Sequence, residues 1–186
     1  MRLPVVFVTS RPEKAEEARR LGFAVERLEL ELPEWQALDP SDVVEHKARE
    51  AFSRLERPVL VEDSGLAVRA WGGFPGALVK WLEKSAGIPA IPRMLSSWED
   101  RRASACCVVG YFDGASLVTG RGECEGTIAS EPRGEDGFGW DSIFAPEGSD
   151  RTFAEMGAAG KDRVSHRRRA WEALASQMPP GLLKHV

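Results

Sequence analysis

Pro58–Gly76, PVLVEDSGLAVRAWGGFPG, is the stretch whose reading decides the fold. It opens on an apolar run, Val59-Leu60-Val61, and then sets Glu62 and Asp63 side by side. Ser64-Gly65 reads as a turn, Leu66-Ala67-Val68 as a second apolar run, and Gly72–Gly76 as its end. Short apolar runs bounded by turn residues predict buried strands. Open α/β sheets bind ligands beyond the carboxyl ends of their strands, so two acids at such an end are candidates for chemistry. The same pair also suits a strand end that simply meets water.

Upstream, Val5–Val8 predicts a strand. The loop Thr9-Ser10-Arg11-Pro12-Glu13-Lys14 leads into a helix to about Leu21, stopped by Gly22. Pro12 suits the first helical position, and Glu13, Glu16 and Glu17 suit the positive end of the helix dipole. Hydroxyls, a Lys and helix-terminal amides can hold phosphate, although the glycines of a Walker loop are absent. Residues 25–32 alternate loosely as a second strand. Asp39 then caps a helix with Pro40 at its first position and a stripe of Val44, Ala48, Ala51 and Leu55. Lys47 falls beside that stripe, where a Lys can snorkel or point into a cleft.

Downstream, Ala77–Leu82 predicts a helix ending near Gly87, and 88–98 a second short one. Ser104–Phe112 and Ser116–Glu123 form a hairpin around Asp113-Gly114. GEDGFGWD, Gly134–Asp141, is a glycine-rich loop whose Phe138 and Trp140 offer stacking surfaces for a base. Ile143-Phe144 is a short strand and Phe153–Met156 another short element. Ser165 caps a last helix that runs to about Gln177.

The 186 residues suit a single domain spanning 1–186, of α/β class, with a sheet and at least four helices. A net charge of −4 gives no overall attraction to nucleic acid or to an anionic membrane, and no apolar run is long enough to span one. Met1–Pro4 carries no signal-peptide pattern. Cys106, Cys107 and Cys124 are odd in number and have no metal-binding spacing, as expected of reduced core thiols in a cytoplasmic protein. The three histidines, His46, His166 and His185, are scattered and form no zinc pattern.

Lys161, Arg163, His166, Arg167, Arg168 and Arg169 crowd the start of the last helix. Cations there are unfavourable by about 0.3–1 kcal/mol each, so an anionic ligand is expected to offset them. Glu34, Glu62 and Asp63 supply hard carboxylates of the kind Mg²⁺ prefers. Cations for phosphates, acids for Mg²⁺ and aromatics for a base point to a nucleoside triphosphate. Without a kinase-type motif, hydrolysis is expected over transfer to an acceptor.

VEDSGLAVRAWGGFPG, GFGWDSIF, TFAEM and KDRVSHR, in that order, strongly resemble the inosine triphosphate pyrophosphatase (Ham1) family over nearly the whole chain. LPEWQ and ALVKW look closer to its eukaryotic and archaeal branch than to many bacterial members. The resemblance implies a long mixed β-sheet flanked by helices, two lobes with a central cleft, and a homodimer. It implies hydrolysis of non-canonical purine nucleoside triphosphates (ITP, dITP, XTP) to the monophosphate and pyrophosphate. By the same resemblance Glu34 and Asp63 would hold Mg²⁺, with Asp63 also the proton acceptor for the attacking water and Ser64 beside it. Thr9–Lys14, Lys47 and Lys80 would contact phosphates. Phe138, Gly139, Trp140 and Asp141 would line the base and sugar pocket, and Lys161, His166 and Arg167 would read the purine edge. One departure stands out: the family's TGNxxK loop usually has Asn where this chain has Arg11, which could replace an amide contact with a charged one. The related Maf-type pyrophosphatases share the architecture but favour modified pyrimidine nucleotides, and the SHR and FGWD motifs argue against them; a nucleotide sensor would not need Glu34 and Asp63.

Overall fold

A computed structural model describes residues 5–183; the reading of Met1–Pro4, and His185, lie outside them. Strand and helix alternate at first: β1 (Val5–Val8), α1 (Pro12–Arg20), β2 (Val25–Leu28), α2 (Pro40–Leu55) and β3 (Val59–Val68). β1 pairs in parallel with β2 on one side and β3 on the other. Its run of apolar residues is explained by burial on both faces. Phe7 packs with Ala15 and Ala18 of α1, whereas Val6 and Val8 pack with Val44, Ala48 and Ala51 of α2. The chain therefore leaves β1 over one face and returns to β3 over the other. The crevice at the carboxyl ends of β1 and β3 is where strand order reverses, the usual ligand position in such a sheet.

After a 3-10 turn (Arg69–Trp71) come β4 (Pro75–Gly76), α3 (Val79–Ala86) and α4 (Ala90–Met94). The hairpin β5 (Arg102–Phe112) and β6 (Leu117–Ile128) turns where Asp113 accepts from the amides of Ala115 and Ser116 at 2.9 and 2.8 Å. A second 3-10 turn (Gly139–Ser142), β7 (Phe144–Pro146), α5 (Phe153–Val164) and α6 (His166–Ala175) complete the chain. The mixed sheet has the order β2-β1-β3-β5-β6-β7, with β4 added to β3. A third apolar cluster, built on Leu66, Ile91, Phe144 and Phe153, forms the second lobe.

Four expectations need correction. Ser64-Gly65 is not a turn: β3 runs unbroken and pairs Ser64 with Cys107 and Gly65 with Cys106. Gly65 is there because the backbone of Gly76 and Ala77 comes so close that a Cβ would lie 2.7 Å from the Gly76 carbonyl carbon. Glu62 and Asp63 are accordingly mid-strand rather than at a strand end. The second strand stops at Leu28 and does not reach Leu32. Phe153–Met156 is the first turn of α5, capped by Thr152 and Glu155; Gly157, at φ +66°, breaks the helical path and hides the element from periodicity.

Candidate active site

β1 pairs with β3 only at Val59–Val61, and β4 pairs with it only at Leu66 and Ala67. Glu62–Gly65 therefore have no strand neighbour on that edge, and the cleft opens there. Side chains alternate along a strand, so the two acids diverge. Glu62 points to the α1 and α6 side and is 1% exposed. Its carboxylate accepts from Arg167 Nε at 3.0 Å and Trp171 Nε1 at 3.2 Å, and pairs with Lys14 Nζ at 3.2 Å. Burial pushes the Glu62 carboxyl up, but Arg167 and Lys14 outweigh it and hold it below the usual range. Asp63 turns toward α2, where its Oδ1 lies 4.0 Å from Lys47 Nζ. There burial prevails over Lys14 and Lys47, and the Asp63 carboxyl is pushed up. Lys47 points into the cleft and donates to the Glu62 carbonyl at 3.3 Å; burial pulls its pKa down.

The cleft has two compartments, with about 520 and 870 Å³ of open space. Lys80 lines both. Thr9, Ser10, Glu34 and Lys47 line the larger one. Glu34 is ion-paired to Lys80; burial raises its carboxyl, and Lys80 more than reverses this. Arg11, Lys14, Asp63 and Ser64 line the smaller one, whereas Pro12 and Glu13 stand outside both. Thr9 Oγ1 accepts from the Arg11 amide at 3.2 Å and pins the loop. Arg11 is the N-cap of α1 without a side-chain cap bond, but Pro12 has no N–H and the Lys14 amide donates to the Arg11 carbonyl at 3.3 Å, which leaves the Glu13 amide as the free donor of the first turn among the described residues.

Phe138 and His166 form the far wall of the smaller compartment. The Phe138 ring lies 4.7 Å from Lys161 Nζ and 5.3 Å from Arg167 Cζ. Asp141 fixes this loop by accepting from the Phe138 amide at 3.0 Å and from Lys161 Nζ at 2.7 Å. Lys161 itself sits behind Phe138 and does not line the smaller compartment. Gly139, Trp140 and Asp141 also line the smaller compartment, as expected, but Trp140 does not offer a second stacking face: it is buried and lies edge-on to Phe144 at 5.7 Å. His166 lies between Trp140 and Phe153, with ring centroids at 5.1 and 5.9 Å. It is 1% exposed, and neither ring nitrogen has a hydrogen-bond partner among the described residues. Burial, together with Arg167 and Lys161, pulls its pKa well below the usual histidine range and keeps it neutral.

The cations at the start of α6 are also explained differently from the sequence expectation. Arg167 bonds Glu17 at 2.5 Å as well as Glu62, and Lys161 pairs with Glu17 and Asp141 at 3.4 and 2.7 Å. Arg168 pairs with Glu172, and Arg169 donates to the Glu123 carbonyl. The protein's own acceptors offset this crowd. Glu17, Trp171 and Glu83 are the participants that sequence reasoning missed. Glu17 had a signal: it lies between Ala15 and Ala18 on the buried stripe of α1, where an acid needs a partner.

Among the described residues no three or more His, Cys, Asp or Glu gather as a metal cluster. Glu34 and Asp63 are two hard carboxylates that feel each other's charge and that of Lys47. That donor set fits Mg²⁺, which takes one or two carboxylates and leaves other positions for water and phosphate.

A protein-family model described as the Ham1 family matches residues 5–177. The chain is 43% identical over 178 residues to a dITP/XTP pyrophosphatase of Methanopyrus kandleri, covering 93% of this chain and 95% of that one. It is 43% identical over 183 residues to a dITP/XTP pyrophosphatase of Thermococcus kodakarensis, covering 96% and 98%. A solved structure of a HAM1 protein from Coxiella burnetii matches with a TM-score of 0.83 at 28% identity, over 95% of this chain and 98% of that one.

Proposed function

From the premise that this chain belongs to the Ham1 family, we propose that it is a nucleoside triphosphate pyrophosphatase acting on non-canonical purines. It hydrolyses ITP, dITP and XTP at the α–β phosphate bond and releases the monophosphate and pyrophosphate. One arrangement carries the proposal: Asp63 faces the smaller compartment while its cationic neighbour Lys47 faces the larger one. A water held at Asp63 would meet a nucleotide between its nucleoside and its outer phosphates.

Asp63 takes the proton of that water, and a carboxyl pushed up by burial is a better acceptor than an ordinary one. Lys14, Lys47 and Lys80 bind the phosphates. Glu34 and Asp63 would hold Mg²⁺, which when bound neutralises phosphate charge and orients water. Phe138 stacks on the base. His166, neutral and with unpartnered ring nitrogens, offers a donor to a 6-oxo group. An adenine amino group there would leave that donor mispaired, a penalty of about 1–3 kcal/mol. The proposal includes a homodimer working in the cytoplasm, a compartment that suits the buried free thiols of Cys106, Cys107 and Cys124.

The test is pyrophosphate release, with Mg²⁺ present, from ITP, XTP, their deoxy forms, ATP and GTP. ITP and XTP should be cleaved far faster than ATP, which lacks the 6-oxo group, and far faster than GTP, which shares that group and must be rejected at its 2-amino group instead. Equal kcat/KM on ITP and ATP would overturn the substrate assignment.

A further inference from the structure

Arg11 reaches across the cleft. Its Nη2 donates to Glu83 Oε2 at 2.8 Å, joining the β1–α1 loop of one lobe to α3 of the other. Both side chains line the smaller compartment. The pair lies over the aromatic loop: a Cβ at Gly139 would stand 3.5 Å from Arg11 Nη1 and 3.9 Å from Glu83 Oε2. Only Nη2 of the guanidinium has a hydrogen-bond partner among the described residues, which leaves Nη1 and Nε as donors without one. The two side chains are 32% and 27% exposed, and ion pairs of that exposure are weak.

We propose that Arg11–Glu83 is a strap over the nucleotide site that opens by partner exchange. Arg11 leaves the Glu83 carboxylate for a phosphate of the incoming triphosphate, and Glu83 is the competitor that holds the cleft closed without substrate. This rests on the reading of the cleft as a triphosphate site. The physical basis is that guanidinium binds carboxylate and phosphate by the same bidentate geometry, and a polyphosphate offers far more charge than one carboxylate. Arg11 also starts α1, and Lys14 of that helix lines the same compartment, so the exchange moves the guanidinium toward a site that the helix dipole and Lys14 already make favourable to phosphate. Glu83 thereby acts through Arg11 and is a positioning residue, not a catalytic one.

The experiment compares the parent, Glu83→Gln, Arg11→Ala and the double variant. It measures Kd for inorganic tripolyphosphate by calorimetry and KM and kcat for ITP. Glu83→Gln should tighten tripolyphosphate binding about three- to tenfold and lower KM for ITP more than it changes kcat. In the Arg11→Ala background the same substitution should do much less, because the competition needs Arg11. Unchanged or weaker binding by Glu83→Gln overturns the exchange. Equal tightening in both backgrounds overturns it too, since loss of one negative charge then explains everything. A parent that binds tripolyphosphate but turns over no ITP sinks the proposed activity and leaves the strap to be judged on binding alone.

Discussion

Glu62 and Asp63 are neighbours with opposite tasks because a strand turns adjacent side chains to opposite faces. Asp63 faces the cleft, so Asp63→Asn should keep the fold and lose the proposed proton acceptor. Loss of a general base costs about 10²–10⁴-fold in turnover, and weaker binding of the proposed Mg²⁺ would add to it. The check is ITP turnover and a melting curve on one sample; turnover within tenfold of the parent removes Asp63 from the centre of the mechanism. Arg167 is different. From the sequence alone, Arg167→Ala is expected to leave stability unchanged or raised, because cations are unfavourable at a helix start. The structure reverses that expectation: Arg167 is 2% exposed and bonded to both Glu17 and Glu62. Its removal leaves two buried carboxylates short of a partner, at a cost of about 3–5 kcal/mol. At about 2–4 °C per kcal/mol for a domain of this size, the melting temperature should fall by more than about 5 °C. An unchanged melting curve would mean that the pair is not formed. The sequence could show that charge was misplaced at α6, but not where the compensating charge was, because Glu17 and Glu62 are distant in the chain.

Local chemistry made several elements legible. Pro12 begins α1, Asp39 caps α2 by accepting from the Ser41 amide at 2.8 Å, and Ser165 caps α6 by accepting from Arg168 at 3.2 Å. Where a glycine served tertiary structure, local rules misled. Gly65 read as a turn because a glycine after Ser usually punctuates a chain, and only the approach of β4 shows why it sits in a strand. Gly65→Ala is the matching test. The added methyl meets backbone on β4 rather than a movable side chain, so β3 and β4 must separate. A loss of about 1–3 kcal/mol is expected, as for overpacking elsewhere. KM for ITP should rise as well, because Ala77 and Val79, which follow β4, line the smaller compartment. A stable variant with parental kinetics would show that β4 can yield without disturbing the cleft.

At the scale of the whole molecule, one buried charge network ties α1, β3, α5, α6 and the aromatic loop together: Glu17, Glu62 and Asp141 against Lys14, Lys161 and Arg167. Glu17, Glu62 and His166 give stability a definite dependence on pH. The carboxyls of Glu17 and Glu62 are held below their usual range, in each case because Arg167 and a lysine outweigh burial. Their contribution is present above the unfolded value of about 4.3 and is lost as pH falls through the folded values. His166 is pushed down by burial and by Arg167, Lys161, Lys14 and Arg169. Below about pH 6.5 the unfolded chain takes up a proton that the folded chain refuses, so stability falls with pH by up to about 1.4 kcal/mol per unit. Asp63 works in the other direction, because its raised carboxyl lets the folded chain keep a proton to higher pH. Comparing the parent with His166→Phe cancels the Asp63 contribution, which both share, and Phe keeps a ring between Trp140 and Phe153. Urea midpoints from pH 3 to 8 should fall in the parent from about 6.5 downward and more steeply below about 4.3. In His166→Phe the upper part of that fall should disappear and the lower part remain. If the variant keeps the upper slope, His166 is not the group that titrates, and the base end of the cleft does not hold a neutral imidazole.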